Sequence, residues 1–172
     1  MRGVALITGA ARRIGRALAL TAAEAGYDVA VHHRSGPDDA EAVAFEVRAI
    51  GRQAAVLAAE LTDDLDLSAL VGRAGQALGP VTLLINNASV FRDDRIETLT
   101  RASWEAHVET NLWAPIRLSQ AFAAELPAGA EGQIINILDQ RVLEAQSSYG
   151  LSRSALWSAT RVLAQALAPR IR

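Results

Sequence analysis

The stretch Thr8-Gly9-Ala10-Ala11-Arg12-Arg13-Ile14-Gly15 has residue types and spacing suited to phosphate chemistry. The apolar run Val4-Ala5-Leu6-Ile7 before it reads as a buried parallel strand, and an amphipathic helix follows it. A glycine break between strand and helix leaves backbone N–H groups and the positive end of the helix dipole facing outward, a seat for a phosphate. An ordinary strand-to-helix turn also favours glycine, so the next strand has to decide between the two readings. That strand is Asp28 to His33, and Arg34-Ser35-Gly36-Pro37 follows it. A dinucleotide-binding unit places its ribose discriminator roughly 20 residues after the glycine turn, at the end of this strand. An acid there would bind the ribose hydroxyl of NAD. Arg34, with Ser35 as a further hydrogen-bond donor, suits the extra phosphate of NADP.

The elements that must position these groups alternate strand and helix along the chain. Ile14, Ala17, Leu18, Thr21, Ala22 and Ala25 draw one apolar face of the first helix at i, i+3, i+4 spacing. Asp38 to Ile50 reads as the second helix, ended by Gly51. Gln53 to Leu61 is the third strand. Thr62-Asp63-Asp64 caps a third helix from Leu65 to Leu78, closed by Gly79-Pro80. Val81 to Asn86 is the fourth strand, and a long helix follows from Arg101 to Glu125. Pro115 inside that helix should bend it or remove a hydrogen bond. Gln133 to Leu138 is the fifth strand, and a last helix covers Ser148 to Ala168.

This order predicts an α/β fold with a doubly wound parallel sheet of Rossmann type, three layers deep, and a ligand crevice at the carboxyl ends of the strands. One NAD(P)-binding domain over residues 1–172 is expected. The two long helices carry apolar stripes: Trp104, Val108, Leu112 and Phe122 on one, Leu156, Leu163 and Leu167 on the other. They suit either a symmetric helix-pair dimer or plain core packing.

Composition excludes several function classes. The chain is 51% hydrophobic, yet no apolar run reaches the roughly 18 residues of a membrane span. With no leader of secretory type, a cytoplasmic location is expected. Cysteine is absent, which removes disulfides and thiolate metal sites. His32, His33 and His107 lack ligand spacing, so no metal is expected. A net charge of −2 gives no support to a nucleic-acid surface. All 17 basic residues are arginine.

Four features in order resemble the short-chain dehydrogenase/reductase family over essentially the whole chain. They are Thr8-Gly9-x-x-x-Arg13-x-Gly15, Asn86-Asn87-Ala88-Ser89, Asn111 in the long helix, and Tyr149 with a basic residue at i+4. Within the family, Arg13 in place of a glycine, His33-Arg34-Ser35, Asn87-Ala88-Ser89-Val90-Phe91 and Asp139 in place of a serine resemble pteridine reductases and bacterial dihydropterin reductases. The resemblance implies cofactor contacts from Gly9, Arg12, Arg13, Ile14, Gly15, His33, Arg34, Ser35, Glu60, Leu61, Asn87, Ala88 and Ser89. It implies substrate stacking on Phe91 and catalytic roles for Asn111, Asp139, Tyr149 and Arg153, with Asn111 holding a proton-relay water. Loop aromatics also often simply pack, and Phe91 could do no more than that. The chemistry implied is NADPH-dependent hydride transfer to a pterin C=N bond or a carbonyl. A free tyrosine with a pKa of about 10 is a poor proton mediator at neutral pH. A cation one helical turn away, where Arg153 stands, lowers that value.

Three departures bear on turnover. Arg153 stands where the family has lysine, and a guanidinium cannot readily release a proton. Nine residues separate Asp139 from Tyr149, fewer than in the family, so the two groups are not expected to converge easily. Residues after Ala168 occupy the family's approach to a sixth strand, which predicts a C-terminally incomplete domain with an open fifth strand. Two other readings follow: a dinucleotide-binding remnant acting through binding or dimerisation, and a ketone or sugar reductase of the same family.

Overall fold

A computed structural model describes residues 2–140 and 147–172. Strand β1, Val4–Ile7, is buried at all four residues because it lies in the middle of the sheet. The other strands are β2 (Asp28–His33), β3 (Ala54–Ala58), β4 (Val81–Asn86) and β5 (Gln133–Asn136). All pair in parallel in the order β3-β2-β1-β4-β5. The order reverses beside β1, which opens a crevice at the carboxyl ends of β1 and β4. The expected doubly wound architecture is the one observed.

Alternation along each strand feeds two cores. Val4, Leu6 and Leu84 face helices α3 (Asp64–Leu78) and α5 (Ala114–Glu125), with Leu67, Leu70, Leu118 and Phe122 completing that layer. Ala5, Ile7, Val29 and Val31 face α1 (Arg13–Glu24) and α2 (Pro37–Ala49), against Ala19, Ala22, Val43 and Val47. Local signals close the elements as expected. Asp63 accepts hydrogen bonds from the N–H groups of Leu65 and Asp66 at 2.8 and 3.1 Å, capping α3. Gly51 ends α2 in the left-handed region at φ 88°.

Three expectations need correction. The buried face of α1 is Gly15, Ala19, Ala22 and Ala23, while Ala17, Thr21 and Ala25 face solvent and Ile14 is 59% exposed. The helix lies so close to the sheet that only small residues fit beneath it; Leu18 and Leu20 pack at the margins of that core, and Ile14 turns outward. The helix expected over Arg101 to Glu125 is broken into α4 (Arg101–Val108), a π-helical turn (Glu109–Trp113) and α5. Pro115 has no N–H to give the carbonyl of Asn111, and the N–H of Ala114 bonds five residues back, to Glu109. Finally, β5 is not bare along its edge. Gly132 and Ile134 donate to the carbonyls of Arg170 and Arg172 at 3.0 and 2.8 Å, and Arg172 donates back to Gly132. The last helix, α6, spans Ser147–Leu167.

Candidate functional site

The first strand ends in a turn that the sequence builds for close approach. Gly9 has φ 64°, a conformation that a side chain strains. A Cβ on Gly15 would stand 2.1 Å from the carbonyl oxygen of Gly9 and 2.7 Å from the Asn87 amide nitrogen. Thr8 and Asn87 lock this turn to the end of β4. The Thr8 hydroxyl accepts from the N–H groups of Asn87 and Ala88, both at 3.0 Å, and the Asn87 amide donates to the carbonyls of Thr8 and Gly9. Arg12 caps α1 without a side-chain hydrogen bond to it, and the first turn holds no acid. Its positive end therefore opens onto the crevice. Arg13 adopts φ 51°, the sole left-handed non-glycine among the described residues.

The carboxyl ends of β2 and β3 form the wall beside this turn. His32 is 1% exposed and ties the segments together: its Nδ1 accepts from Gly9 N–H at 3.0 Å, and its Nε2 lies 3.2 Å from the Ala59 carbonyl, to which it donates. Burial pushes its pKa from 6.5 down to about 4, so the ring is neutral, as this pattern requires. His33, Arg34 and Ser35 continue the wall after β2, and Glu60 and Leu61 continue it after β3. The buried Nδ1 of His33 has no hydrogen-bond partner among the described residues. Arg34 is exposed and held by no ion pair there, whereas Arg12 pairs with Asp39 of α2.

At the other end of the crevice stand the groups for proton chemistry. The Tyr149 hydroxyl donates to Asp139 Oδ2 at 2.8 Å, so these two groups converge in spite of the short spacing between them. The connection over residues 141–146 lies outside the described residues. Arg153 is 4% exposed, donates to the Ile137 carbonyl at 3.3 Å, and has its guanidinium carbon 5.4 Å from the centre of the Tyr149 ring. Its Nε is buried without a partner among the described residues. Phe91 meets Tyr149 edge-on at 5.0 Å and keeps 48% of its surface exposed. The whole crevice encloses about 720 Å³, a volume suited to a cofactor-sized molecule.

Every residue expected at the site lines this crevice except Asn111. Asn111 sits in the π-helical turn, fully buried, where its amide group grips the backbone of Val90. Both bonds to Val90 are 2.9 Å, and a further donation reaches Ser152 at 3.3 Å. Both amide hydrogens are used in these bonds, which tie the π-helical turn to the segment bearing Ser89 and Phe91. Sequence reasoning missed His32, because a histidine in an apolar strand gave no sign of which backbone groups it would meet. It also missed a buried group behind Tyr149. His107 Nε2 accepts from Arg92 N–H at 2.8 Å, its Nδ1 lies 2.7 Å from the Ser148 hydroxyl, and Ser148 is bound in turn to Asp94.

Comparison with known proteins agrees with this geometry. The short chain dehydrogenase family profile matches residues 3–172. A 3-oxoacyl-[acyl-carrier-protein] reductase FabG of Staphylococcus epidermidis is 30% identical, over 99% of this chain and 71% of its own length. Among solved structures, the FolM alternative dihydrofolate reductase 1 of Brucella canis, complexed with NADP, superposes with a TM-score of 0.93 at 42% identity. That match covers 98% of this chain and 68% of the other. A short chain dehydrogenase of Burkholderia cenocepacia in complex with NADP gives 0.91 at 34% identity, covering 97% and 69%. With the glycine turn, the Asn87 lock and the Tyr149 helix in one crevice, the chain belongs to the short-chain dehydrogenase family.

Proposed function

We propose that this chain is an NADPH-dependent reductase acting on a pterin-type C=N bond. The observation that carries this reading is the carboxylate of Asp139, which accepts the Tyr149 hydroxyl where the family has a serine. Crystal structures of relatives in complex with NADP support the cofactor, and this chain's groups fit it. The open end of α1 and the cradle at Gly15 suit a pyrophosphate, Arg34 and Ser35 suit the adenosine phosphate, and Arg153, which lines the crevice, suits a ribose or carbonyl oxygen.

When bound, the reduced nicotinamide supplies the hydride. Tyr149 and Asp139 share one proton, carried on the phenol oxygen in this arrangement. A substrate nitrogen that gains charge takes a proton from that pair, and a carboxyl with its phenol neighbour can serve nitrogen as readily as oxygen. Arg153 supplies positive charge beside the ring, and Phe91 offers a half-exposed aromatic face for a planar substrate. Of the expected apolar stripes Phe122 and Leu156 are fully buried as core, while Trp104 stays 37% exposed; with Leu151 and Trp157 at 53% and 50%, it supports self-association through α4 and α6.

The test is NADPH oxidation with a dihydropterin and with a β-ketoacyl thioester, using the parent chain, Arg34→Ala and Asp139→Ser. The dihydropterin should be the better substrate, Asp139→Ser should move the ratio toward the thioester, and Arg34→Ala should abolish a preference for NADPH over NADH. A faster thioester reaction with no response to Asp139→Ser would refute the pterin reading. Arg153 favours a second reading, since a guanidinium relays no proton. On that reading NADPH binds tightly and neither substrate turns over.

A further inference from the structure

Behind Tyr149 lies a chain of buried polar groups that the proposed chemistry does not use. His107, on α4, is 0% exposed, as is Ser148, and Asp94 is 4% exposed. The donors settle the direction of every bond. Arg92 has a backbone N–H to give, so His107 Nε2 is the acceptor and the ring proton sits on Nδ1, facing the Ser148 hydroxyl. Ser148 then gives its hydroxyl proton to Asp94 Oδ2, and its backbone N–H to Asp94 Oδ1 at 3.1 Å. Burial lowers the pKa of His107, against the pull of Asp94, and holds the ring in this neutral form. The two ends of the chain are adjacent to the two aromatic residues of the crevice. Arg92 follows Phe91, and Ser148 precedes Tyr149. The imidazole also meets the Tyr149 ring edge-on at 5.7 Å.

We propose that His107 is a positioning residue with two arms, one setting Phe91 through Arg92 and the other setting Tyr149 through Ser148 and Asp94. The separation of these aromatic side chains, and with it the seat of a planar substrate against Phe91, depends on a buried group that does not itself line the crevice. The inference rests on the reductase reading, and it is tested so that the two can fail apart.

The arms can be cut singly. Asparagine at 107 keeps an N–H near the place of Nδ1 and so keeps the Ser148 arm. Glutamine keeps an acceptor near the place of Nε2 and so keeps the Arg92 arm. With NADPH and a dihydropterin, His107→Ala should lower kcat roughly 10- to 100-fold, the penalty of misplacing a reacting group by about 1 Å, and raise KM. His107→Asn should recover kcat but not KM, and His107→Gln should recover KM but not kcat. NADPH affinity should stay within about twofold in all three, since the adenosine seat lies on other segments. Equal loss of kcat, KM and NADPH affinity, with rescue by neither conservative variant, would leave His107 a plain core residue and overturn the proposal. Should the parent chain reduce nothing, the reductase reading falls and the positioning by His107 is read by carbon-13 tyrosine NMR. The chain has only two tyrosines, Tyr27 and Tyr149. His107→Gln should shift the Tyr149 resonance and leave Tyr27 in place, and an unmoved Tyr149 would again overturn it.

Discussion

Arg13 sets a local conflict between stability and function. Its φ of 51° lies in the left-handed region, which costs an L-residue with a Cβ about 1 kcal/mol or more. Nothing among the described residues holds the side chain by a hydrogen bond or ion pair, so the fold itself gains nothing evident from an arginine there. Strain retained at the mouth of a binding crevice points to a ligand that uses the side chain. Arg13→Gly should therefore raise the urea midpoint, by a stabilisation of about 1 kcal/mol, while weakening NADPH in a fluorescence titration. A glycine variant that binds NADPH as tightly as the parent would remove Arg13 from the site. The residue's membership of the crevice was legible from the glycine pattern, whereas its strained backbone was not. Only the neighbours in space, which force the turn at Gly9 and Gly15, determine that conformation.

Elements with strong local punctuation were legible, and those shaped by contact were not. Asp63, Gly51 and Gly79 mark helix ends through chemistry that acts within a few residues, so those ends fell where expected. The break in the long helix was foreshadowed by Pro115, yet its form as a π-helical turn answers to Asn111 reaching Val90 across the crevice wall. The face of α1 was misread for the same reason, because its spacing from the sheet is set by Gly15 and not by hydrophobic periodicity. Two glycine-to-alanine changes separate these cases. Gly75 lies within α3 with nothing inside 4 Å of an added Cβ, so Gly75→Ala should stabilise by roughly 0.5–1 kcal/mol through helix propensity. Gly15→Ala meets backbone at 2.1 Å and should destabilise by about 1–3 kcal/mol while weakening NADPH binding. Comparable urea midpoints for the two would mean that α1 is not seated as tightly as described.

At the scale of the whole molecule, the groups that hold the crevice together make the fold sensitive to acid. His32 joins the glycine turn to the end of β3, and His107 joins the Phe91 segment to α6; both work only as neutral rings. The folded chain thus binds fewer protons than the unfolded chain below the ordinary histidine value of about 6.5, so stability must fall as pH falls through that value. For His32 the folded value is about 4. Its contribution is intact above pH 7 and is lost progressively down to about pH 4, amounting to about 2 kcal/mol by pH 5. Asp94 acts in the same direction but only at lower pH. Burial would raise its pKa, and hydrogen bonds from Ser148 and Ser103 outweigh this and hold it below 3.8. Against a typical total of 5–15 kcal/mol, the histidine loss is measurable. Urea unfolding at pH 8, 6 and 5 should show it in the parent, and His32→Asn, which keeps an acceptor for Gly9 without a titrating ring, should show a shallower fall. A parent stability that stays level between pH 8 and 5 would mean that neither ring is held neutral by its partners, and the assigned tautomers of His32 and His107 would fall with it.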